Sequence, residues 1–180
     1  MLRDADPARD AAACAAIYAP HVSGAATSFD EVAPDPEQFR ELLQTTMRRY
    51  PWIVLERAGQ VIGYAYASTH RSRPAYRWTV EVGIYIDCGH QRAGAGRRLY
   101  EALFALLRRQ GLRVALAGIT VPNDASTGLH RVLGFEPVGT YRHVGWKAGG
   151  WRDVAWWQLD LAPDCDGPPP EPFGPQRLDA

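Results

Sequence analysis

Apolar and polar positions alternate with period two over residues 80–86, where Val80, Val82, Ile84 and Ile86 interleave with Glu81, Gly83 and Tyr85. That spacing predicts a half-buried strand ending near Ile86. From Leu99 onward the apolar positions fall at Leu99, Ala102, Leu103, Leu106 and Leu107, with arginines and Glu101 on the other side. This predicts an amphipathic helix beginning just after Gly96. Between the two lies 91–96, Gln-Arg-Ala-Gly-Ala-Gly, a tight strand-to-helix turn. Such a turn gathers unpaired amides and the positive end of a helix dipole, and glycine lets the backbone come close to a bound group. It is a place to hold a phosphate. The third glycine of a dinucleotide fingerprint is missing and no Gly-Lys-Ser/Thr appears, which excludes both of those nucleotide motifs.

The same reading arranges the rest of the chain around this pair of elements. Leu2 and Arg3 suggest the remnant of a first strand. Asp6-Pro7 is a helix start, continued over 11–18 with Cys14, Ile17 and Tyr18 on the apolar side. Asp35-Pro36 repeats the signal, and Phe39, Leu42, Leu43 and Met47 mark a second helix that ends before Pro51. Residues 52–56 and 61–67, joined by a turn at 58–60, predict a hairpin, with 78–86 as the next strand. Gly83 is suited to a bulge that would open that strand. Residues 114–121 predict a strand, and Pro122-Asn123-Asp124 opens a helix through Leu133, with Gly134 as its left-handed cap. Two closing strands, 137–144 and 152–161, are joined across Gly149-Gly150. Beyond Leu161 the chain is too rich in proline for helix or strand, which divides it into a domain at 1–162 and a tail at 163–180. The order of elements makes an α/β (α+β) domain whose sheet is antiparallel at the hairpin.

Composition acts here mainly by exclusion. A chain of 180 residues has room for one full-sized domain. Acidic and basic residues balance at 20 each, so nothing general favours nucleic acid or an anionic membrane as a partner. The arginines at 92, 97 and 98 form a local cluster beside the glycine turn, placed to meet the phosphates of a cofactor. Cys14, Cys88 and Cys165 lack metal-ligand spacing and suggest neither a zinc site nor a disulfide framework, so no metal is expected and a reducing cytoplasm is. No apolar signal core or membrane-length apolar run occurs.

Taken alone, Glu81 either faces water from an open sheet or stands where an incoming amine would lie. His130 is either a packing residue or part of a polar helix face, since Asn123, Ser126 or Thr127, and His130 recur at helical spacing. The wider pattern is more specific. Thr79-Val80-Glu81, Ile84-Tyr85-Ile86, His90-Gln91-Arg92, Gly94-x-Gly96, Leu99-Tyr100, Pro122-Asn123-Asp124-x-Ser126, Leu129-His130, Leu133-Gly134-Phe135 and Gly149-x-Trp151-x-Asp153-Val154 resemble the phosphinothricin acetyltransferase branch of the GNAT superfamily of N-acetyltransferases. Arg49-Tyr50-Pro51-Trp52, Ala75-Tyr76-x-Trp78 and the proline-rich tail fit too, so the resemblance spans nearly the whole chain.

The resemblance implies a mixed, mostly antiparallel twisted sheet flanked by helices, and acetyl transfer from acetyl-CoA to a small amino-acid-like amine by direct attack. It implies Glu81 as the base, which the chemistry needs because an α-amino group with a pKa near 8 is mostly protonated at neutral pH. His130 assists proton transfer. By the same resemblance the coenzyme is expected to be held by Gln91, Arg92, Ala93, Gly94, Ala95, Gly96 and Arg97, by Asn123 and Ser126, and by amides of Ile84, Tyr85 and Ile86 that also stabilise the developing oxyanion. Phe29, Arg71, Arg73 and Tyr76 align with the family's substrate-side residues and are expected to select the substrate, the arginines offering planar forks to a carboxylate or phosphinate. A homodimer is implied as well. Thr69-His70, standing where relatives commonly have Gly-x-Trp, is a departure, as are Pro74 and Arg131. Acetylation of a protein amine and a noncatalytic acyl-CoA-binding module are the alternative functions.

Overall fold

The computed structural model describes residues 1–162 and 167–178. Asp6 Oδ1 accepts from the Ala8 and Arg9 amides and Pro7 supplies a pre-set first turn, so helix α1 spans Pro7–Ser23 directly after strand β1, Leu2–Asp4. Helix α2, Pro36–Met47, starts with a capping box in which Asp35 and Gln38 satisfy each other's backbone amides. Phe39 and Leu43 enter the core, whereas Leu42, expected beside them, is 46% exposed. Strands β2, Trp52–Arg57, and β3, Gln60–Thr69, are joined by a two-residue turn with positive φ at Ala58 and Gly59. Then come β4, Thr79–Ile86, helix α3, Ala95–Arg109, β5, Val114–Val121, helix α4, Asp124–Val132, and the long hairpin β6, Glu136–Lys147, and β7, Gly150–Asp160. That hairpin turns at Ala148 and Gly149, both with positive φ, rather than across Gly149-Gly150.

The strands form one seven-stranded sheet in the order β1-β2-β3-β4-β5-β7-β6, mixed and mostly antiparallel as expected. Among the described residues only β4 and β5 pair in parallel. The period-two pattern of β4 divides its side chains between two cores: Val80 and Val82 pack with Leu99 and Leu103 of α3, while Tyr85 joins Tyr18, Tyr64, Tyr66 and Trp52 beneath α1 and α2. Glu81 alternates with Val80 and Val82 and so projects on the α1–α2 side.

The described residues of the tail hold no helix or strand and lie along the domain. Trp78 Nε1 donates to Pro170 O at 2.8 Å, Arg77 pairs with Glu171, and the Phe173 amide donates to Gln110 O at 2.8 Å. Further on, the Leu178 amide donates to Asp4 Oδ2 at 3.2 Å. Cys165 lies outside the described residues.

Candidate active site

Strands β4 and β5 pair at Thr79–Val114, Val80–Ala115 and Glu81–Leu116, and then part. Beyond Glu81, β4 continues to pair with β3 alone and β5 with β7 alone. The Asp87 N–H donates to Ile62 O at 2.9 Å, so by alternation the backbone groups of Tyr85 and Gly83 face β3 and those of Val82, Ile84 and Ile86 face the gap. Ile84 and Ile86 therefore present amides there. Tyr85, grouped with them in sequence, turns its backbone to Tyr64 and packs its ring edge-on against Tyr18 with centroids 4.8 Å apart.

The expected bulge at Gly83 is absent. Pairing of β3 with β4 runs without a register shift from Gly63–Ile86 to Thr69–Val80, and the gap opens because β5 leaves. Gly83 serves packing instead: a Cβ there would sit 2.6 Å from the Tyr66 ring that crosses it.

At the far end of β4 the chain bends through Cys88–His90, a short 3-10 turn whose Gly89 amide and His90 ring both bond Asp87 Oδ2, at 3.1 and 2.8 Å. Arg92 and Gly94 then adopt left-handed φ of 60° and 75°. Helix α3 starts at Ala95, two residues earlier than expected, because Gly94 rather than Gly96 makes the left-handed break. Gly94 has no side chain to cap the helix, so the amides of Ala95, Gly96 and Arg97 have no acceptor within it. Gly96, in the first turn, faces Leu129 of α4, and a Cβ would lie 3.0 Å from that side chain. Arg97 pairs with Glu101 at 2.7 Å, whereas Arg92 and Arg98 are exposed and make no ion pair among the described residues. Gln91 and Ala93 are exposed as well. Bare helix amides flanked by free guanidinium groups fit a polyphosphate, and the unpaired edge of β4 fits an amide-bearing arm.

On α4, Asn123 Oδ1 accepts from the Ser126 amide at 3.1 Å, so this side chain caps the helix. Ser126 O accepts from His130 Nδ1 at 2.8 Å, which fixes the proton on that nitrogen and leaves Nε2 to accept from the Tyr100 hydroxyl at 3.2 Å. His130 is only 2% exposed and packs edge-on against Phe135 and Tyr100. Burial lowers its pKa and favours the neutral ring. These contacts lie on the α3 side of the sheet. His130 and Glu81 are not brought together.

On the substrate side, Arg71 and Arg73 are exposed and free of ion pairs among the described residues, and Tyr76 closes a 3-10 turn, Pro74–Tyr76. Phe29 lies over Gly145 of β6, where a Cβ would collide with its ring. Glu81 accepts a hydrogen bond from His70 Nδ1 at 2.8 Å. Nothing in the local pattern singles out His70 as a partner, but the β3–β4 register does. Ser68 pairs with Glu81, and His70 lies two residues on, so both stand on the face of the sheet that carries Glu81.

Residues 5–156 match the acetyltransferase (GNAT) domain. The chain belongs to the GNAT acetyltransferase family. It is 39% identical over 168 residues to phosphinothricin N-acetyltransferase of Streptomyces viridochromogenes, covering 93% of this chain and 90% of that one. It is 37% identical over 169 residues to L-methionine sulfoximine/L-methionine sulfone acetyltransferase of Pseudomonas aeruginosa, covering 93% and 98%. Among solved structures, the GNAT superfamily phosphinothricin acetyltransferase from Sinorhizobium meliloti in complex with acetyl-CoA superposes with a TM-score of 0.89 at 35% identity, covering 95% of this chain and 93% of that one. The GNAT match takes in both walls of the gap, the bare helix start and every candidate site residue. No group of three or more His, Cys, Asp or Glu among the described residues is arranged to hold a metal, and no helix among them is long and apolar enough to cross a membrane.

Proposed function

We propose that the chain acetylates the amino group of a small amino-acid-like substrate of the phosphinothricin, methionine sulfoximine or methionine sulfone kind, with acetyl-CoA as donor. One observation carries the reading: the sheet splits at Glu81, so a carboxylate that is 36% exposed stands at the apex of a gap whose other end is the bare start of α3. Bound acetyl-CoA would supply the activated acetyl carbonyl. The amides of Ala95, Gly96 and Arg97, with Arg92 and Arg98, would hold its phosphates, and the backbone of Ile84 and Ile86 its arm.

Glu81 takes a proton from the substrate nitrogen, leaving the neutral amine to attack directly. No side chain of the protein becomes acylated. Orientation supplies much of the advantage, since holding two reactants together replaces an entropic cost that free solution imposes. His130, neutral and bonded to Tyr100, is placed to accept rather than to donate through Nε2, and we assign it to proton handling on the α3 side of the gap. Arg71 and Arg73 meet the anionic groups of the substrate.

Two further readings rest on the surface and the thiols. Val138, Tyr141, Val144 and Trp146 of the edge strand β6, with Trp151 of β7, are all more than half exposed, an apolar face suited to a second copy in a homodimer. Cytoplasmic residence suits the unpaired Cys14 and Cys88.

The test compares kcat/KM for phosphinothricin, methionine sulfoximine, methionine sulfone and a lysine peptide by thiol release from acetyl-CoA, with wild type and E81Q. The small substrates should exceed the peptide by at least about tenfold, and E81Q should slow turnover by roughly 10²-fold at neutral pH, recovering as pH nears that of the free amine. A faster peptide would favour protein acetylation. Wild-type turnover by E81Q would make Glu81 structural.

A further inference from the structure

The His70 contact is the sole hydrogen bond to the Glu81 carboxylate among the described residues, and Oε2 has none. His70 lies just past the end of β3, with its side chain 16% exposed, and its ring is held edge-on by two others. Tyr76, from the turn before β4, stands at 5.8 Å between centroids and 80° between planes. Trp156, from β7 on the far side of the gap, stands at 6.3 Å and 72°. The imidazole is thus gripped by elements from both sides of the opening. An ionised carboxylate can only accept, so Nδ1 carries the shared proton.

We propose that His70 is a positioning residue for the base: its Nδ1–H holds Oε1 and leaves Oε2 as the atom that takes the proton from the substrate nitrogen. This rests on the reading of Glu81 as that base. In the step itself the N–H bond of the substrate breaks and an O–H bond forms at Oε2, while His70 keeps its own proton. The contact fixes the rotamer of a side chain that is otherwise free in a wide gap. The other titratable groups that face the pair are the phenols of Tyr66, from β3, and Tyr76. No second cation or carboxylate pairs with either residue among the described residues.

The test joins kinetics to a spectroscopic readout on the full chain. With acetyl-CoA and phosphinothricin, H70F should lower kcat roughly tenfold, the scale of a coupled neighbouring pair, with the KM for acetyl-CoA unchanged. H70N, which keeps an N–H donor near Oε1, should recover most of that loss. In the E81Q background H70F should have no more than about a twofold further effect, because both changes act on one group. Independently of activity, the His70 Nδ1–H proton, assigned by its loss in H70F, should exchange with solvent faster in E81A than in wild type, because the Glu81 carboxylate is the acceptor that holds it. An unchanged exchange rate, equal losses from H70F in both backgrounds, or H70N as slow as H70F would each overturn the role. A slow E81Q with a fast H70F would overturn it and leave the base reading standing, whereas a fast E81Q would remove the base and this role together.

Discussion

At the scale of single residues, chemistry is legible in sequence where a polar group interrupts an apolar pattern, and illegible where its partner comes from another strand. Glu81 stands out because it sits among Val80, Val82 and Ile84. His70 does not, because its meaning depends on the pairing of Ser68 with Glu81, which no local pattern encodes. Gly83 shows the converse: a glycine in a strand is visible, but whether it admits a bulge or a neighbouring ring is decided by Tyr66 across the ladder. His130 supports a prediction of its own. Burial lowers its pKa below the usual histidine value, and His21 is shifted the same way for the same reason. The unfolded chain therefore binds more protons than the folded one between the lowered folded values and about 6.5. That stability is fully present above about pH 6.5 and is lost as pH falls through the folded values. Melting temperature should fall as pH drops from 7.5 toward 5, and H130Q should make the fall shallower; an unchanged slope would place the proton uptake elsewhere.

At the scale of elements, caps and periodicity read well and turn details do not. The starts of α1 and α2 follow from Asp-Pro pairs whose carboxylates do cap the amides. Val114–Val121 is readable from its flanks and its apolar composition. The start of α3 is harder, since both Gly94 and Gly96 permit a left-handed φ and only the structure shows which one adopts it. Its placement sharpens the test of phosphate binding. Gly96 lies within the first turn and against Leu129, so G96D adds both bulk and negative charge at the bare amides. For wild type, acetyl-CoA at about 100 times its dissociation constant should stabilise the fold by roughly 2.7 kcal/mol, seen as a rise in melting temperature. G96D should abolish that rise. Equal rises in both proteins would remove the helix start from the binding site.

At the scale of the whole molecule, the antiparallel half β1 to β4 can be assembled from sequence because its strands follow one another. The crossing from β4 to β5 is less accessible: the parallel pair is separated by all of α3, and the insertion of β7 between β5 and β6 reverses sequence order. The gap is a product of that crossing, which is why the composition of its two walls was readable and the opening itself was not. The tail is another long-range feature, since Trp78, Gln110 and Asp4 anchor it at points that its proline content does not announce.

The parting of β4 and β5 also bears on how the chain could be assembled in pieces. Their three paired positions are the whole ladder between the amino-terminal and carboxy-terminal halves of the sheet. Gly111, with φ of 85°, marks the bend between α3 and β5. A polypeptide ending at 111 and another beginning at 112 would each carry its own hairpins, and the second would bring the tail that reaches back to Trp78 and Asp4. Co-expressed, the two should recombine into an active complex, and acetyl-CoA, held in the gap as proposed, should tighten their association as its concentration rises, as measured by the fraction that co-elutes. A carboxy-terminal piece shortened before residue 167 should associate more weakly. Loss of all recombination even with saturating acetyl-CoA would mean that the two halves of the sheet form only as one cooperative unit.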